Sequence, residues 1–412
     1  MVWLPGCVVT FVFLRLLAEL TLEALNRAEV RRNAGRCPAS MEGVMDGSTY
    51  ARSVQYTLAK GRLGCVEAVY DAAVLLALVF SGILPWLWAR FSALGPGATW
   101  SAALFVVAAM ILLGLLHMPL EWWSRFRLEE RFGFNNSTLG LWAADQVKLM
   151  LLGIAIGFPV AWAMLVLVNR AGEYWWVWGF ALLFGVQMLM IVLYPKLILP
   201  LFNRLSPLPE GDQRSGLLAL AGRTGFPART IEVMDGSKRS GHSNAFFTGF
   251  GRFRHIVIFD TLMAQLDPGE LEAVLAHEIG HFKCGHVPKF IALTAFLQFG
   301  AFAAVAWLAR TPWLNAAFGL PGGTLAPTFL LVGLLGGLVT FWFAPAVNWL
   351  SRRNEYEADA FARNATGSSA PMIGALRKLF EKNLSNLTPH PLFSMVYYSH
   401  PTPVERERAL RK

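Results

Sequence analysis

Seven long apolar segments constrain this chain more than any other feature of its sequence. They cover residues 2–24, 66–89, 100–120, 149–168, 174–195, 289–309 and 326–348. About 20 mostly apolar residues are enough for one helix to cross the hydrocarbon core of a bilayer. Charged residues make up 15% of the chain, against about a quarter in soluble proteins. The sequence therefore predicts an all-α multi-pass membrane protein with seven transmembrane helices.

The basic residues alternate between the gaps that separate these segments. Arg and Lys crowd the first, third and fifth gaps and the C-terminal tail, whereas the other gaps carry only Arg90, Arg170 and Arg310. Because basic loops stay on the cytoplasmic side, the rich gaps are expected in the cytoplasm and the N-terminus outside. This topology also explains the net charge of +9. We therefore expect the lipid bilayer as a partner and no nucleic acid. No obligate protein partner is evident from the sequence.

The fifth gap, residues 196–288, is the only long loop with the pattern of a folded soluble unit. Two strands are predicted over 230–234 and 253–259, and a helix is predicted to begin at Asp267, followed by Pro268 and Glu270. The predicted organisation is 1–195 with helices one to five, 196–288 as a folded domain, 289–348 with helices six and seven, and 349–412 as the C-terminal part of that domain.

The predicted helix carries the motif HExxH, formed by His277, Glu278 and His281. Two histidines four residues apart share one face of a helix, so both imidazoles can bind one zinc ion. Glu278 can then act as the base that takes a proton from a water on the metal. A third histidine six residues after the motif is absent, and His286, five residues after it, is expected to point away and to be solvated.

A third ligand is therefore expected from elsewhere, and Glu355 is the best candidate. Glu355 and Asp359 are four residues apart on one face of a predicted helix, directly after the seventh segment. Segments six and seven form a hairpin that returns this helix to the side of the HExxH motif. Glu355 suits metal binding, and Asp359 suits holding a ligand imidazole by its other nitrogen. An ordinary juxtamembrane helix is the alternative.

Two further polar residues fit a protease site. His400 could donate a hydrogen bond to the oxyanion of a tetrahedral intermediate, although a histidine before proline is also a common turn residue. Asn244 precedes a possible edge strand that could pair with an extended substrate, with Asn244 holding the substrate backbone. A simple hairpin with asparagine in its turn is equally consistent with these residues. The scattered cysteines, Cys7, Cys37, Cys65 and Cys284, lack metal-site spacing and are expected to be buried.

Several segments, in their order along the chain, resemble the type I CAAX prenyl endopeptidases, membrane zinc metalloproteases that cleave near a prenylated cysteine. They are EERFGFNNST, YPKLILPLFNRLSPLPEG, HSNAFFTGF, HEIGH, SRRNEYEADAFA and SHPTPVERERAL. The resemblance implies a barrel of seven helices around an intramembrane chamber, closed on the cytoplasmic side by a small α+β gluzincin-like domain. It implies one zinc per chain. The implied roles are zinc binding by His277, His281 and Glu355, catalysis by Glu278, substrate or transition-state contact by Asn244 and His400, and ligand orientation by Asp359.

The expected activity is peptide-bond hydrolysis by zinc-activated water, with removal of the tripeptide that follows a prenylated cysteine or a related cleavage of a membrane-associated peptide. Two other functions stay open. A general quality-control metalloprotease would share HExxH and the later glutamate but usually has fewer spans. A transporter or lipid-binding scaffold would need a structural zinc site, which usually has four protein ligands. The excess of Arg over Lys favours a bacterial inner membrane, or the endoplasmic reticulum if the source is eukaryotic.

Overall fold

A computed structural model describes residues 3–39, 45–226, 231–248 and 255–412 of the chain. Within these residues the chain forms 18 α-helices and one sheet of four strands. The predicted strand positions Thr230, Phe253 and Arg254 lie outside the described residues.

The helices dominate the fold. In chain order they are α1 (Trp3–Arg32), α2 (Gly47–Phe80), α3 (Ile83–Leu94), α4 (Thr99–Trp123), α5 (Glu130–Phe132), α6 (Leu139–Arg170), α7 (Trp175–Leu193), α8 (Leu199–Phe202), α9 (Asp212–Arg223), α10 (Asp260–Met263), α11 (Pro268–Lys283), α12 (His286–Ala309), α13 (Trp313–Ala316), α14 (Leu325–Thr340), α15 (Ala344–Thr366), α16 (Ala370–Lys382), α17 (Pro391–Tyr397) and α18 (Pro403–Leu410). The π-helical turns Ser124–Glu129 and Tyr194–Ile198 extend α4 and α7.

Six helical stretches in the described part of the chain are long and apolar enough to cross a membrane. They are Gly47–Phe80, Thr99–Phe132, Leu139–Arg170, Gly172–Phe202, His286–Ala309 and Leu325–Thr366. Five of the seven predicted segments lie wholly inside one of them. The first predicted segment forms most of the 30-residue helix α1, where Arg15 Nε and Glu19 Oε1 form an ion pair of 2.9 Å, and α1 is not among the six.

The predicted segment 66–89 is not one helix. Helix α2 ends at Phe80 and α3 begins at Ile83, with Gly82 between them at a φ of 82°. Only glycine adopts this left-handed conformation at little cost, so Gly82 breaks the helix and redirects the chain. The apolar run crosses this break without a change in composition, which is why hydropathy alone merges the two helices.

The small sheet has the strand order β1-β2-β4-β3. Its strands are β1 (Leu205–Pro207), β2 (Ile231–Met234), β3 (Ala245–Thr248) and β4 (His255–Phe259). Strands β2 and β4 are parallel, and the two outer strands pair with them in antiparallel fashion. The two predicted strands, 230–234 and 253–259, are thus confirmed over their described residues, 231–234 and 255–259. Strand β3 lies at one edge of the described sheet, directly after Asn244.

Helix α11 begins as predicted, with Asp267 as its N-cap and Pro268 as its first residue. Asp267 accepts a hydrogen bond from the backbone N–H of Glu270, whose carboxylate accepts one from the N–H of Asp267. This capping box satisfies two N–H groups at the helix start. At its other end, α11 packs against α15 so closely that a Cβ added to Gly280 would lie 3.1 Å from the Cα of Ala358. The contact fixes the HExxH helix against the helix that carries Glu355.

One apolar core holds the sheet, α9, α11, α15 and α16 together. Leu220 of α9, Ile258 of β4, Leu271 and Ile279 of α11, and Ala362 of α15 belong to it and are almost completely buried. Burial of large aliphatic side chains stabilises a fold by about 1.5–3 kcal/mol each. The HExxH helix therefore has one face in this core and its other face toward the site.

Candidate metal centre

Three predicted ligands converge between α11 and α15. The Nε2 atoms of His277 and His281 are 3.2 Å apart. Glu355 places Oε1 3.2 Å from Nε2 of His281 and Oε2 3.4 Å from Nε2 of His277. These atoms come together because the two histidines are one turn apart on α11, and because α15 crosses this turn at Gly280.

The chemistry of this cluster fits a divalent metal. His277 and Glu355 are 6% and 4% exposed, so their polar atoms are shielded from water. Glu355 Oε2 is buried and has no hydrogen-bond partner among the described residues. Two imidazole nitrogens and a carboxylate form the three-ligand set of catalytic zinc sites, which leave a fourth position open. A cation between these atoms would satisfy the orphaned oxygen and both nitrogens.

Asp359 holds the other side of His277. Its Oδ1 is 2.9 Å from Nδ1 of His277. It also accepts hydrogen bonds from Arg406 Nε at 2.9 Å and from Arg406 Nη2 at 2.6 Å. Burial alone would lower the pKa of the Arg406 guanidinium, but its bonds to Asp359 raise it, so Arg406 stays charged. Arg406, on the C-terminal helix α18, is only 6% exposed and has no counterpart in the sequence-based prediction.

The expectation that His286 is solvated is wrong, since it is only 4% exposed. Its Nδ1 lies 3.0 Å from Nδ1 of His281, and its Nε2 lies 3.1 Å from Oε2 of Glu357. The expectation assumed one continuous helix, but α11 ends at Lys283 and Gly285 has a φ of 70°. This left-handed turn swings His286 back toward His281. The glycine after the helix was the signal in the sequence that could have shown it.

Glu278 faces the same site from α11. Burial raises the pKa of its carboxyl group, and the nearby histidines only partly offset this effect. A carboxylate with a raised pKa is a better proton acceptor near neutral pH than a solvated one. Glu278 lines a cavity of about 880 Å³ together with the three converging residues.

Asn244 and His400 also line this cavity. His400 places Nε2 3.4 Å from Glu355 Oε1, and its side chain is 64% exposed. Asn244 lies at the start of β3, and its Oδ1 accepts a hydrogen bond of 2.9 Å from the N–H of Ala245. All seven residues predicted for the site therefore lie in or beside one cavity, with His277, His281, Glu355 and Asp359 in a single cluster of contacts.

The segment before β3 is fixed by residues that the sequence did not indicate. Asn383, after α16, accepts a 3.1 Å hydrogen bond from the N–H of Ser243 through its Oδ1. His242 places Nε2 3.2 Å from Glu129 Oε2 and stacks on Phe134 with ring centroids 4.0 Å apart. These contacts hold the entry to the edge strand against both the C-terminal helices and the end of α4.

Known proteins resemble this chain over nearly its whole length. A family described as CAAX prenyl protease N-terminal, five membrane helices, matches residues 26–204, and peptidase family M48 matches residues 207–412. CAAX prenyl protease 1 homolog of Oryza sativa subsp. japonica is 34% identical, over 90% of this chain and 89% of that protein. The chain belongs to the type I CAAX prenyl protease family.

Two further relatives of this family agree. CAAX prenyl protease 1 of Saccharomyces cerevisiae is 33% identical over 91% of this chain and 88% of its own. The crystal structure of S. mikatae Ste24p matches with a TM-score of 0.91 and 30% identity, over 98% of both chains. The chain is accordingly a multi-pass membrane protein and a metalloendopeptidase of the CAAX protease type, with a mostly helical fold and a small sheet.

Proposed function

We propose that this chain removes the C-terminal tripeptide that follows a prenylated cysteine, with one zinc ion bound by His277, His281 and Glu355. The convergence of three ligand atoms within 3.2–3.4 Å of one another, in a cavity that also contains Glu278, carries the proposal. Zinc, when bound, lowers the pKa of a coordinated water to about 7 and polarises the scissile carbonyl.

Glu278 takes the proton of the attacking water and transfers it to the leaving amine. Its raised pKa and its position one residue after His277 suit both steps. His400, at the exposed rim of the cavity, donates from its ring to the oxyanion that forms on the substrate carbonyl. Asn244 holds the substrate backbone beside the edge strand β3, to which the peptide adds as a further strand.

The cavity offers a mixed surface for such a substrate. Beyond the polar cluster, its wall is formed by apolar side chains of two membrane-crossing helices, Phe184 and Met188 of α7 and Phe290 and Ile291 of α12. A peptide end would lie against the polar residues, and a prenyl chain would be shielded from water by the apolar wall. This combination favours a lipid-modified peptide over a fully polar one.

Two residues position the ligand imidazoles. Asp359, bound by Arg406, orients His277 through Nδ1, and His286, bound by Glu357, orients His281 in the same way. Such partners fix the tautomer in which Nε2 is free to bind the metal. Their loss typically weakens metal affinity about 10- to 100-fold.

The proposed topology has seven transmembrane helices in a barrel around a chamber. They are α1 and the six long apolar stretches described above. Residues 196–288 and 349–412 together form the metalloprotease domain on the cytoplasmic side, and residues 1–195 and 289–348 form the membrane part. The one-sided distribution of Lys and Arg supports this orientation. Accessibility of cysteines introduced singly into the loops, in intact and permeabilised vesicles, tests it.

Cleavage of a farnesylated CAAX peptide by the purified protein tests the activity. The unprenylated peptide, the Glu278→Gln variant and a chelator serve as comparisons. We expect cleavage that needs both the metal and Glu278 and that favours the farnesylated peptide. Equal cleavage of both peptides would indicate general membrane proteolysis. Absence of cleavage by the zinc-loaded protein would refute the prenyl-peptide substrate.

A further inference from the structure

A second group of potential metal ligands lies next to the candidate metal centre. Cys284, His286 and Glu357 each offer one ligand atom, and these atoms all lie within 4.8 Å of one another. Cys284 caps the end of α11, His286 begins α12, and Glu357 lies on α15. The expectation of buried cysteines is wrong, because Cys7 is exposed and Cys37, Cys65 and Cys284 are partly exposed. The Cys284 thiol can therefore be reached by ions from solution.

We propose that Cys284, His286 and Glu357 form a second zinc site, and that zinc bound there inhibits the protease. A thiolate, an imidazole and a carboxylate are the ligand types that bind zinc in proteins, and a thiolate disfavours magnesium and calcium. The inhibitory part of the proposal rests on the proposed function, because it requires His281 to be a ligand of the catalytic metal.

The local backbone holds the three ligands near their places. The N–H of Cys284 donates to the carbonyl of Gly280 at 2.9 Å, and its carbonyl accepts from Nζ of Lys289 at 2.9 Å. The imidazole and carboxylate already approach to 3.1 Å. Tetrahedral zinc with bonds of about 2.0–2.3 Å requires its ligand atoms to be about 3.3–3.6 Å apart. A thiolate within 4.8 Å therefore reaches this geometry by a side-chain movement of about 1 Å.

The inhibition follows from the protons of the two adjoining imidazoles. When Nε2 of His281 faces the catalytic metal, its Nδ1 carries hydrogen and donates to Nδ1 of His286, 3.0 Å away. The hydrogen of neutral His286 is then on Nε2, where it is donated to Glu357. Both imidazoles are satisfied only in this arrangement.

Zinc at Nε2 of His286 reverses this arrangement. To bind the metal through Nε2, the ring loses its Nε2 proton to solvent and takes up a proton from solvent on Nδ1, so that it stays neutral. The Cys284 thiol also releases its proton to solvent. Two N–H groups would face each other at the 3.0 Å contact between His286 and His281. They must separate, which removes the group that orients His281. Occupation of the second site therefore leaves His281 without its orienting partner and lowers the activity of the catalytic site, even when both sites hold zinc.

Zinc titration of the purified full-length chain in detergent tests the proposal. Bound zinc per chain is measured at equilibrium, together with maleimide labelling of the thiols and peptide hydrolysis. The Cys284→Ala variant removes one ligand, and Cys7→Ala, which removes an exposed cysteine on α1, is the matched control. Each variant is normalised to its own activity at one equivalent of zinc.

We expect two zinc ions per chain in the unmodified protein and in Cys7→Ala, and one in Cys284→Ala. Zinc should protect Cys284 from maleimide and should inhibit hydrolysis. Loss of a residue that orients a metal ligand weakens metal affinity about 10- to 100-fold, and loss of the ligand itself weakens it at least as much. The zinc concentration for half-inhibition should therefore rise about 100-fold in Cys284→Ala.

Other outcomes separate the two proposals. One zinc per chain in the unmodified protein, or two in Cys284→Ala, would overturn the second site. Protection of Cys284 without inhibition would overturn the coupling to His281. Protection of Cys284 in a protein that cleaves no peptide at any zinc concentration would leave the second site standing and refute the proposed function.

Discussion

Removal of the Asp359 carboxylate should weaken both the fold and metal binding. The carboxylate accepts two hydrogen bonds from buried Arg406 and lies 2.9 Å from Nδ1 of His277. In Asp359→Ala the guanidinium keeps Glu355 as a neighbour at 3.6 Å, a longer and poorer contact. Removing one partner of a buried ion pair costs about 3–5 kcal/mol, because the other charge stays buried.

The loss of stability is measured on metal-free protein, so that it reports the ion pair alone. A change of 1 kcal/mol shifts the melting temperature of a domain of 150–250 residues by about 2–4 °C, so a loss of 3 kcal/mol predicts a decrease of about 6 °C or more. The matched control is Glu272→Ala, which removes a carboxylate of α11 from an exposed 2.8 Å pair with Arg223. Exposed pairs contribute about 0–1 kcal/mol, so the control should hardly change the melting temperature.

Metal affinity is measured separately, by competition with a chelator of known affinity. Loss of a group that orients a ligand imidazole predicts weakening of about 10- to 100-fold for Asp359→Ala and no change for Glu272→Ala. Equal melting temperatures of the two variants would refute the reasoning on the buried pair. Unchanged metal affinity in Asp359→Ala would refute the orienting role, whatever its effect on stability.

Three further predictions concern a close helix contact, a carboxylate paired with two arginines, and a helix cap. Gly280→Ala should destabilise the protein by about 1–3 kcal/mol and weaken metal binding, because the added Cβ would press on Ala358. In the same thermal melts, the control Gly222→Ala should stabilise the protein slightly, because its added Cβ would lie in open space. Burial raises the pKa of Glu407, but hydrogen bonds from two arginines lower it by more, so the net shift is downward. Glu407→Gln should therefore destabilise the protein at pH 7. In melts at several pH values, the difference from the parent protein should fade below about pH 4.3. Asp267→Ala should cost about 0.5–2 kcal/mol through loss of the helix cap, measurable by chemical denaturation and absent in Asp267→Asn.

The elements of the site that follow from local patterns could be predicted from the sequence. Asp267, Pro268 and Glu270 fix the start of α11, and the spacing of His277 and His281 places both on one face. The hairpin of apolar segments returns Glu355 to the same side. These inferences need only helix periodicity, capping chemistry and an alternating topology, all of which are written in short stretches of sequence.

The elements that depend on distant packing could not be predicted. Arg406 looks like a surface residue of a charged helix, and its burial arises only because α18 packs against α15. The burial of His286 depends on a helix end and a left-handed glycine, which change its direction. The break at Gly82 was hidden inside a uniformly apolar run. In each case one backbone turn or one tertiary contact outweighs the local periodicity.

The arrangement of α15 suggests that the metal centre gains or loses its metal as one unit. This helix supplies Glu355, which faces both histidines. It also supplies Asp359, which contacts Nδ1 of His277 directly, and Glu357, which acts on Nδ1 of His281 through His286. A shift of α15 away from α11 would therefore remove a ligand and both orienting groups together. Because a ligand that binds only the native state stabilises it, metal should tighten the contact between these helices. Slower backbone hydrogen exchange along α15 in the metal-loaded protein would support this coupling, and equal exchange with and without metal would contradict it.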